Sequence, residues 1–118
     1  MATLLQYVVV RKDLITMLKW PVGAVIAQAC HACAATMVLY SDDELTKAYT
    51  TDLDNMHKCV LEIDNEEKLQ ELSKRLEQEN ILHKLWIEQP ENYPTCLVTK
   101  PYKKEQVQPF FKKLKLFK

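Results

Sequence analysis

Apolar runs and alternating polarity along the chain predict four short β-strands. Residues 4–10 are almost continuously apolar and β-branched, which is typical of a strand buried on both faces. Residues 57–63 alternate between polar and apolar side chains and predict a second strand. Shorter apolar runs at 84–88 and 95–99 predict the third and fourth. Residues 89–94 hold two prolines and are predicted to form a loop, because proline cannot donate to a sheet hydrogen bond.

Four helices are predicted between and after these strands, over residues 22–40, 41–55, 65–80 and 103–114. The first is rich in alanine, and its small side chains allow close packing on a sheet. The second follows Ser41 and begins with acidic residues, and Asp64 or Asn65 can cap the third. The third and fourth each have an apolar face, formed by Leu69, Leu72 and Leu76 and by Val107, Phe110, Phe111 and Leu114.

The order of these elements predicts an α/β sandwich that forms one domain over residues 1–118. The strand–helix–strand unit from His57 to Glu88 is expected to be a right-handed parallel crossover. Ligands of such sheets bind beyond the carboxyl ends of the strands. Residues 11–13 and 88–89 follow strands in this way, so we expect functional side chains there.

Composition excludes several classes of protein. The chain has 118 residues, of which 47% are hydrophobic and 27% charged, as in an ordinary globular protein. Its one glycine, Gly23, cannot form a glycine-rich phosphate loop. Four cysteines are too few for a disulfide scaffold, and residues 22–40 are interrupted by Gln28 and His31, which argues against a membrane span. We expect a cytoplasmic protein with reduced thiols and no membrane partner.

Charge is balanced overall but unevenly distributed. The 16 basic and 16 acidic residues give a net charge of zero. Residues 1–40 hold three basic residues and one acidic residue. Residues 41–91 hold six basic and fourteen acidic residues, and residues 92–118 hold seven basic residues and one acidic residue. A polyanionic partner would therefore contact the two ends of the chain and avoid its middle. A solvated lysine-rich tail is the alternative interpretation of the same pattern.

Two groups within the first long helix could carry chemistry. Cys30 and Cys33 have the spacing of half a zinc site, but no second half-site exists in the sequence, so we expect buried, metal-free thiols. Gln28 and His31 are three residues apart and share a helix face. They indicate either a hydrogen-bonded core histidine or a site at the boundary between helix and sheet.

Several motifs resemble the type 2 peptidyl-tRNA hydrolase family of archaea and eukaryotes, and the resemblance covers nearly the whole chain. The segments 7–14, 27–32, 95–101 and 114–118 are similar to the family's first strand, its Ala-Gln-x-x-His-Ala helix, its Thr-to-Pro strand and its terminus. Trp20-Pro21, residues 86–92 and the final Leu-Phe-Lys are similar to one divergent branch of that family. The resemblance implies a four-stranded mixed sheet with helices on both faces, in a three-layer α-β-α sandwich.

The same resemblance implies hydrolysis of the ester that joins a peptide to tRNA, without a cofactor or metal. Gln28, His31 and Thr95 match the family's functional positions, and Glu88 stands where the family has aspartate. Two lysines of the family are replaced by apolar residues within 21–24, and an arginine is replaced by Glu91. Ester hydrolysis needs a base and a donor for the oxyanion, so His31 or Glu88 could be the base, while the donor is missing.

Other cations must replace these lysines if the chain is an enzyme. We expect Lys19, Lys12 or Arg11 to face the ester, with tRNA phosphates reaching the lysine-rich end of the chain at Lys100, Lys103 and Lys104. The predicted function is peptidyl-tRNA hydrolysis that releases tRNA for reuse. A catalytically impaired tRNA- or protein-binding module on the same fold is the alternative. The sequence leaves open whether the chain forms a homodimer.

Overall fold

A mixed β-sheet carries helices on both faces in the structure, a computed structural model that describes residues 3–118. The strands are β1 (Leu4–Arg11), β2 (His57–Ile63), β3 (His83–Glu88), β4 (Tyr93–Thr99) and a short β5 (Tyr102–Lys103). The helices are α1 (Asp13–Thr16), α2 (Val22–Leu39), α3 (Glu44–Thr51), α4 (Glu66–Gln78) and α5 (Lys104–Val107), with 3-10 turns at Leu53–Asn55 and Gln108–Phe110. The predicted fold class is confirmed, and the four predicted strands are present.

The main path of the sheet is β2-β1-β4-β3, with β5 paired to the start of β1. β1 and β2 are parallel, whereas β4 is antiparallel to both β1 and β3. β2 and β3 therefore run in the same direction, but they are not neighbours, so the predicted crossover spans two intervening strands. β1 and β4 are buried along almost their whole length and take the centre, whereas β2 and β3 are partly exposed and take the outer positions.

Alternation along β1 divides the core into two layers. Tyr7 and Val9 point to the face that packs against α4 and the C-terminal segment. Val8 and Val10 point to the opposite face, which α2 covers through Val25 and Ala32. Successive side chains of a strand point to opposite faces, so one apolar strand serves both layers.

The last predicted helix is wrong in extent. Instead of one helix over 103–114, the structure has α5 and then the 3-10 turn Gln108–Phe110. Pro109 has no N–H and its ring collides with the carbonyl four residues earlier, so the α-helix cannot continue past Val107. Val107 and Phe111 are nevertheless buried in the core layer of α4, with Phe110 and Leu114 packed against it.

Several other segments differ from the prediction, which did not include α1 or β5. The second helix, α3, ends at Thr51 and begins after Asp43, whose carboxylate accepts from the N–H groups of Leu45 and Thr46. β4 begins inside the predicted proline loop, at Tyr93. The unpredicted segment 115–117 pairs with the outer edge of β2, where its backbone bonds Val60 and Glu62.

α2 contains no Asp, Glu, Lys or Arg, and by length and composition it is apolar enough to cross a membrane, with a mean hydropathy of 1.7. In the structure it packs on the sheet along one side, where Val25, Gln28, Ala32 and Thr36 are buried. Val22, Ile26 and Val38 are exposed on its outer side.

Candidate active site

The predicted catalytic residues meet where β3 ends, β4 begins and α2 passes over them. A β-bulge shapes this point, because Trp86 pairs with Cys96 while the next residue, Ile87, pairs with Pro94. Thr95 is thus the extra residue of β4, left without a partner on β3. Bulges turn a side chain away from the regular alternation of the sheet. Here the Thr95 side chain is fully buried against α2.

Thr95 orients the amide of Gln28. Its hydroxyl donates to Gln28 Oε1 over 2.8 Å, and both side chains are buried. Because Oε1 accepts from Thr95, the Gln28 amide N–H group is left for another acceptor. That acceptor is the carboxylate of Glu88. Hydrogen bonds from Gln28, foremost, and from the Trp86 indole hold the pKa of Glu88 below its usual value.

His31 lies on the exposed side of the same constellation. Its ring stacks on Trp86 with the centroids 5.1 Å apart and the planes 13° from parallel. The indole N–H of Trp86 in turn donates to Glu88 Oε1 over 3.1 Å. The charge of His31 adds a smaller lowering of the Glu88 pKa. The site therefore places an accessible imidazole beside an ionised carboxylate that buried groups hold in position.

A cavity of about 550 Å³ adjoins Glu88. It is lined by Leu18, Trp20, Glu88, Glu91 and Tyr93. The two aromatic rings stack at 6.0 Å and form one wall. The lining holds two carboxylates and no lysine or arginine, so it disfavours a phosphate group and favours an uncharged or cationic one.

Arg11, predicted to face the substrate, is instead buried. Its guanidinium makes two hydrogen bonds of 2.9 Å to the carboxylate of Asp13 and donates to the carbonyl of Pro94 and the hydroxyl of Tyr93. It also lies 3.5 Å from Glu66. These contacts join the end of β1 to α1, β4 and α4, so Arg11 positions the elements around the site.

Neither Lys12 nor Lys19 lines the cavity beside Glu88. Lys12 Nζ bonds the main-chain oxygen of Lys118, lies 3.8 Å from Glu62 and sits over the ring of Phe117, at the β2 side of the sheet. Lys19 is exposed, and its Nζ donates to the carbonyl of Thr16 over 3.0 Å. Its neighbours Leu18 and Trp20 line the cavity, but Lys19 itself does not.

The lysine-rich end of the chain does not converge on the site. Lys100 is buried, with its Nζ 3.1 Å from Asp43 and over the ring of Tyr102. Lys103 is exposed but pairs with Leu4, at the opposite end of β1 from Arg11, and Lys104 follows it. The seven residue steps of β1 correspond to about 23 Å.

The cysteines and a serine–histidine pair do not add a second reactive centre. All four cysteines are free, and burial raises the pKa of Cys96 to about 12. No group of three or more His, Cys, Asp or Glu in the described part of the chain is placed to hold a metal ion. Cys30 is exposed and Cys33 is half-buried, although both were expected to be buried. Ser73 bonds His83 over 2.7 Å, but Ser73 is buried, so the pair joins α4 to β3.

Sequence reasoning missed three aromatic members of the site: Trp86, Trp20 and Tyr93. A signal for Trp86 was present, because residues two apart in a strand share a face and Trp86 precedes Glu88 by two. No comparable signal linked Trp20 to Tyr93, since their contact joins the segment after α1 to the start of β4.

Comparison with known proteins identifies the family of the chain. The family model described as "Peptidyl-tRNA hydrolase PTH2" matches residues 4–117. The mouse protein named "Putative peptidyl-tRNA hydrolase PTRHD1" is 50% identical over 116 residues, which cover 98% of this chain and 83% of that protein. The human protein of the same name is 49% identical with the same coverage. These relatives confirm the divergent branch that the sequence resembles, and the chain belongs to the PTH2 peptidyl-tRNA hydrolase family.

Proposed function

We propose that this chain hydrolyses the ester bond between peptide and tRNA in peptidyl-tRNA. The observation that carries the proposal is the contact series from Thr95 through Gln28 to Glu88, with His31 beside that carboxylate on its exposed side. The family membership and the printed names of the two relatives support the same substrate.

In the proposed mechanism, His31 takes a proton from a water whose oxygen bonds to the ester carbonyl carbon. His31 then returns that proton to the ribose oxygen of tRNA as the ester C–O bond breaks. The imidazole is exposed and can reach a water in the open site. Glu88 is ionised at neutral pH, as carboxyl groups ordinarily are, and hydrogen bonds from Gln28 and Trp86 lower its pKa further. Its negative charge stabilises the imidazolium that forms as the water is deprotonated. Thr95 does not touch the substrate in this scheme and acts by fixing the Gln28 amide.

The cavity beside Glu88 is the proposed location of the peptide portion of the substrate. Its acidic lining repels phosphate, and Trp20 and Tyr93 offer an apolar wall to a side chain. The oxyanion donor is the weakest part of the site, since no cation lines this cavity. Lys19 is the proposed donor, because its exposed ammonium is bound only to the carbonyl of Thr16 and can turn toward the ester.

The test is release of peptide from N-acetyl-aminoacyl-tRNA by the wild type, His31→Ala and Glu88→Gln. Loss of a general base lowers turnover about 100- to 10,000-fold, so we expect at least a 100-fold fall for His31→Ala. Cys30→Ala is the matched control, because Cys30 precedes His31 on α2 but is not among the residues of the constellation. The wild-type rate in His31→Ala would overturn the proposal.

A non-catalytic module is the second candidate, and the cation-free lining of the cavity favours it. Removal of one oxyanion donor slows an enzyme about 100- to 1,000-fold, so a site without any donor can fall below a useful rate. A wild-type protein that binds tRNA but releases no peptide would support this second candidate.

A further inference from the structure

We infer that the sugar-phosphate backbone of the tRNA binds in a basic groove between α4 and the segment after the Gln108–Phe110 turn. This inference rests on the proposed function for the identity of the RNA. The groove was not predicted from the sequence, which indicated Lys100, Lys103 and Lys104 instead.

Two adjoining concavities form the groove, with volumes of about 520 and 410 Å³. They share Ile63, Lys68, Lys113 and Leu114. Leu72 and Ile63, both mostly buried, are part of the lining of the larger one. The groove is thus an apolar surface bordered by charged side chains from two distant parts of the chain.

The balance of charge in the groove is positive. The larger concavity is lined by Lys68, Arg75, Lys112, Lys113 and one acid, Glu71, a net charge of +3. The smaller adds Lys115 together with Glu62 and Asp64. Glu62 lies 3.8 Å from Lys12, outside the groove, and Asp64 lies 3.7 Å from Lys68, so that acid and one groove cation neutralise each other. The cations that remain are Arg75, Lys112, Lys113 and Lys115, against the single acid Glu71. A chain of zero net charge has therefore concentrated unneutralised cations at one surface.

Arg75, Lys112 and Lys113 form no ion pair within residues 3–118. All three are exposed, and the Arg75 guanidinium lies over the ring of Phe110, 5.0 Å from its centroid. Exposed, unpaired cations attract the phosphates of a nucleic-acid backbone, and an aromatic surface beside them is suited to contact with bases.

The groove opens at the same end of the sheet as the candidate active site. Lys68 follows Glu66 by two residues, and Glu66 lies 3.5 Å from the Arg11 guanidinium. Arg11 bonds Tyr93 and Pro94, which precede Thr95 in β4. An RNA strand with its ester at Glu88 can therefore pass this end of the sheet and place its phosphates along α4.

The surface that the sequence predicted for tRNA, at Lys100, Lys103 and Lys104, does not offer a continuous set of exposed cations near the site. Lys100 is buried in its ion pair with Asp43, which leaves Lys103 and Lys104 at the far end of β1. The cavity at Glu88 and Glu91 repels phosphate, because its lining holds two carboxylates and no lysine or arginine. Of the two cationic surfaces, the α4 groove is the one that contacts through Glu66 and Arg11 connect to the start of β4.

The test compares Lys112→Ser/Lys113→Ser with the matched pair Lys103→Ser/Lys104→Ser. The probe is deacylated tRNA, with affinity measured by fluorescence anisotropy from 50 to 200 mM salt. Each lost phosphate contact reduces the slope of log affinity against log salt by about one, so the groove variant should lose about two units of slope. Across this fourfold change in salt, the wild type should then lose about 16-fold more affinity than the groove variant. The control pair should keep the wild-type slope.

Equal salt slopes for the wild type and the groove variant would overturn the inference. A loss of slope in the control pair equal to that in the groove variant would also overturn it, as would a wild type that does not bind tRNA. The first outcome would leave the groove to a different partner, such as an acidic protein segment. A short substrate, an N-acetyl-aminoacyl ester of adenosine, distinguishes failure of the proposed function from failure of this inference, because it lacks the phosphates that the groove would bind. The groove variant should hydrolyse that ester at the wild-type rate. If tRNA binding shows the expected salt slopes but the wild type hydrolyses no substrate, only the proposed hydrolase function is overturned, and the inference about the groove stands.

Discussion

Glu88 illustrates how a single carboxylate in this site depends on its neighbours. It replaces the shorter aspartate of the family, and its carboxylate is held by Gln28 and by the Trp86 indole. Gln28 is itself held by Thr95, so a bulge in β4 determines the direction of an amide on α2. The residue types alone are common in any protein, and the contacts among them give the site its chemistry.

Replacement of Gln28 by alanine should shift the pH dependence of turnover. The Glu88 pKa is lowered in the folded protein, most by Gln28, so removal of that amide raises the pKa toward its ordinary value. The carboxylate then becomes protonated at a higher pH, so the step that Glu88 contributes to the acidic limb of kcat/KM moves to higher pH. The measurement is the pH–rate profile of the wild type and Gln28→Ala.

Trp86→Phe should move the acidic limb in the same direction by a smaller amount, because the second hydrogen bond is lost while an aromatic ring remains beside His31. Gln70→Ala is the matched control, since Gln70 makes a similar bond of 2.9 Å to Glu66 outside the site. An unchanged acidic limb in both site variants would contradict the assigned role of Glu88.

At the scale of elements, one ion pair explains why a predicted substrate lysine is unavailable. Asp43 is the N-cap of α3, and its carboxylate also lies 3.1 Å from Lys100 at the end of β4. Burial opposes ionisation of Asp43, but the hydrogen bond from Lys100 and the backbone N–H groups of Thr46 and Leu45 outweigh it and lower its pKa. The cap of a helix and the end of a strand are thus held by the same carboxylate.

Asp43→Ala should lower the free energy of unfolding by about 3 kcal/mol, because it removes a helix cap and leaves a buried ammonium without its partner. Lys100→Met should cost less, since the cap remains and an apolar side chain of similar length fills the space. Urea denaturation at pH 7 measures both. A larger loss for Lys100→Met than for Asp43→Ala would contradict this assignment.

The contribution of the Asp43–Lys100 ion pair to the free energy of unfolding should also depend on pH. The folded pKa of Asp43 is lowered, so its stabilisation is present above the unfolded pKa of about 4 and is lost as the pH falls through the folded value. The difference in unfolding free energy between the wild type and Asp43→Ala should therefore stay constant from pH 7 to 5 and narrow below pH 4. Denaturation curves at pH 3, 5 and 7 check this expectation.

For the whole molecule, Arg11 is the residue that connects the layers at the functional end of the sheet. It lies at the end of β1 and contacts α1, α4 and the start of β4. Its side chain is 4% exposed. The basic groove, on the α4 side, and the acidic cavity, beside α2 and β3, therefore meet around one buried guanidinium.

Arg11→Met should lower the free energy of unfolding by about 3 kcal/mol, since it leaves the carboxylate of Asp13 and the carbonyl of Pro94 without their donor. Arg11→Lys should not restore the wild-type value, because an ammonium cannot make the two parallel bonds to Asp13. Arg75→Met, at an exposed arginine, should change stability by about 0.5 kcal/mol or less. A similar small change for Arg11→Met in urea denaturation would contradict the structural role.

The sequence by itself determined the elements whose signals are local. Four strands, α2 and α4 follow from short-range polarity patterns, and the motif around Gln28 and His31 indicated both family and candidate site. Local patterns failed where one residue overrides its neighbours, as Pro109 does in the last predicted helix, or where pairing comes from a distant segment, as for residues 115–117 on β2.

Only the tertiary structure decided which charges are free and which surfaces are continuous. Lys100 and Arg11 are cationic in the sequence, but both are buried with acidic partners that lie in other elements. Conversely, Lys68 and Arg75 lie in an acidic stretch of sequence and become basic groove residues when Lys112 and Lys113 pack beside them. The physical reason is that charge acts through distance in space, and folding brings together residues that a segment-by-segment count of charge keeps apart.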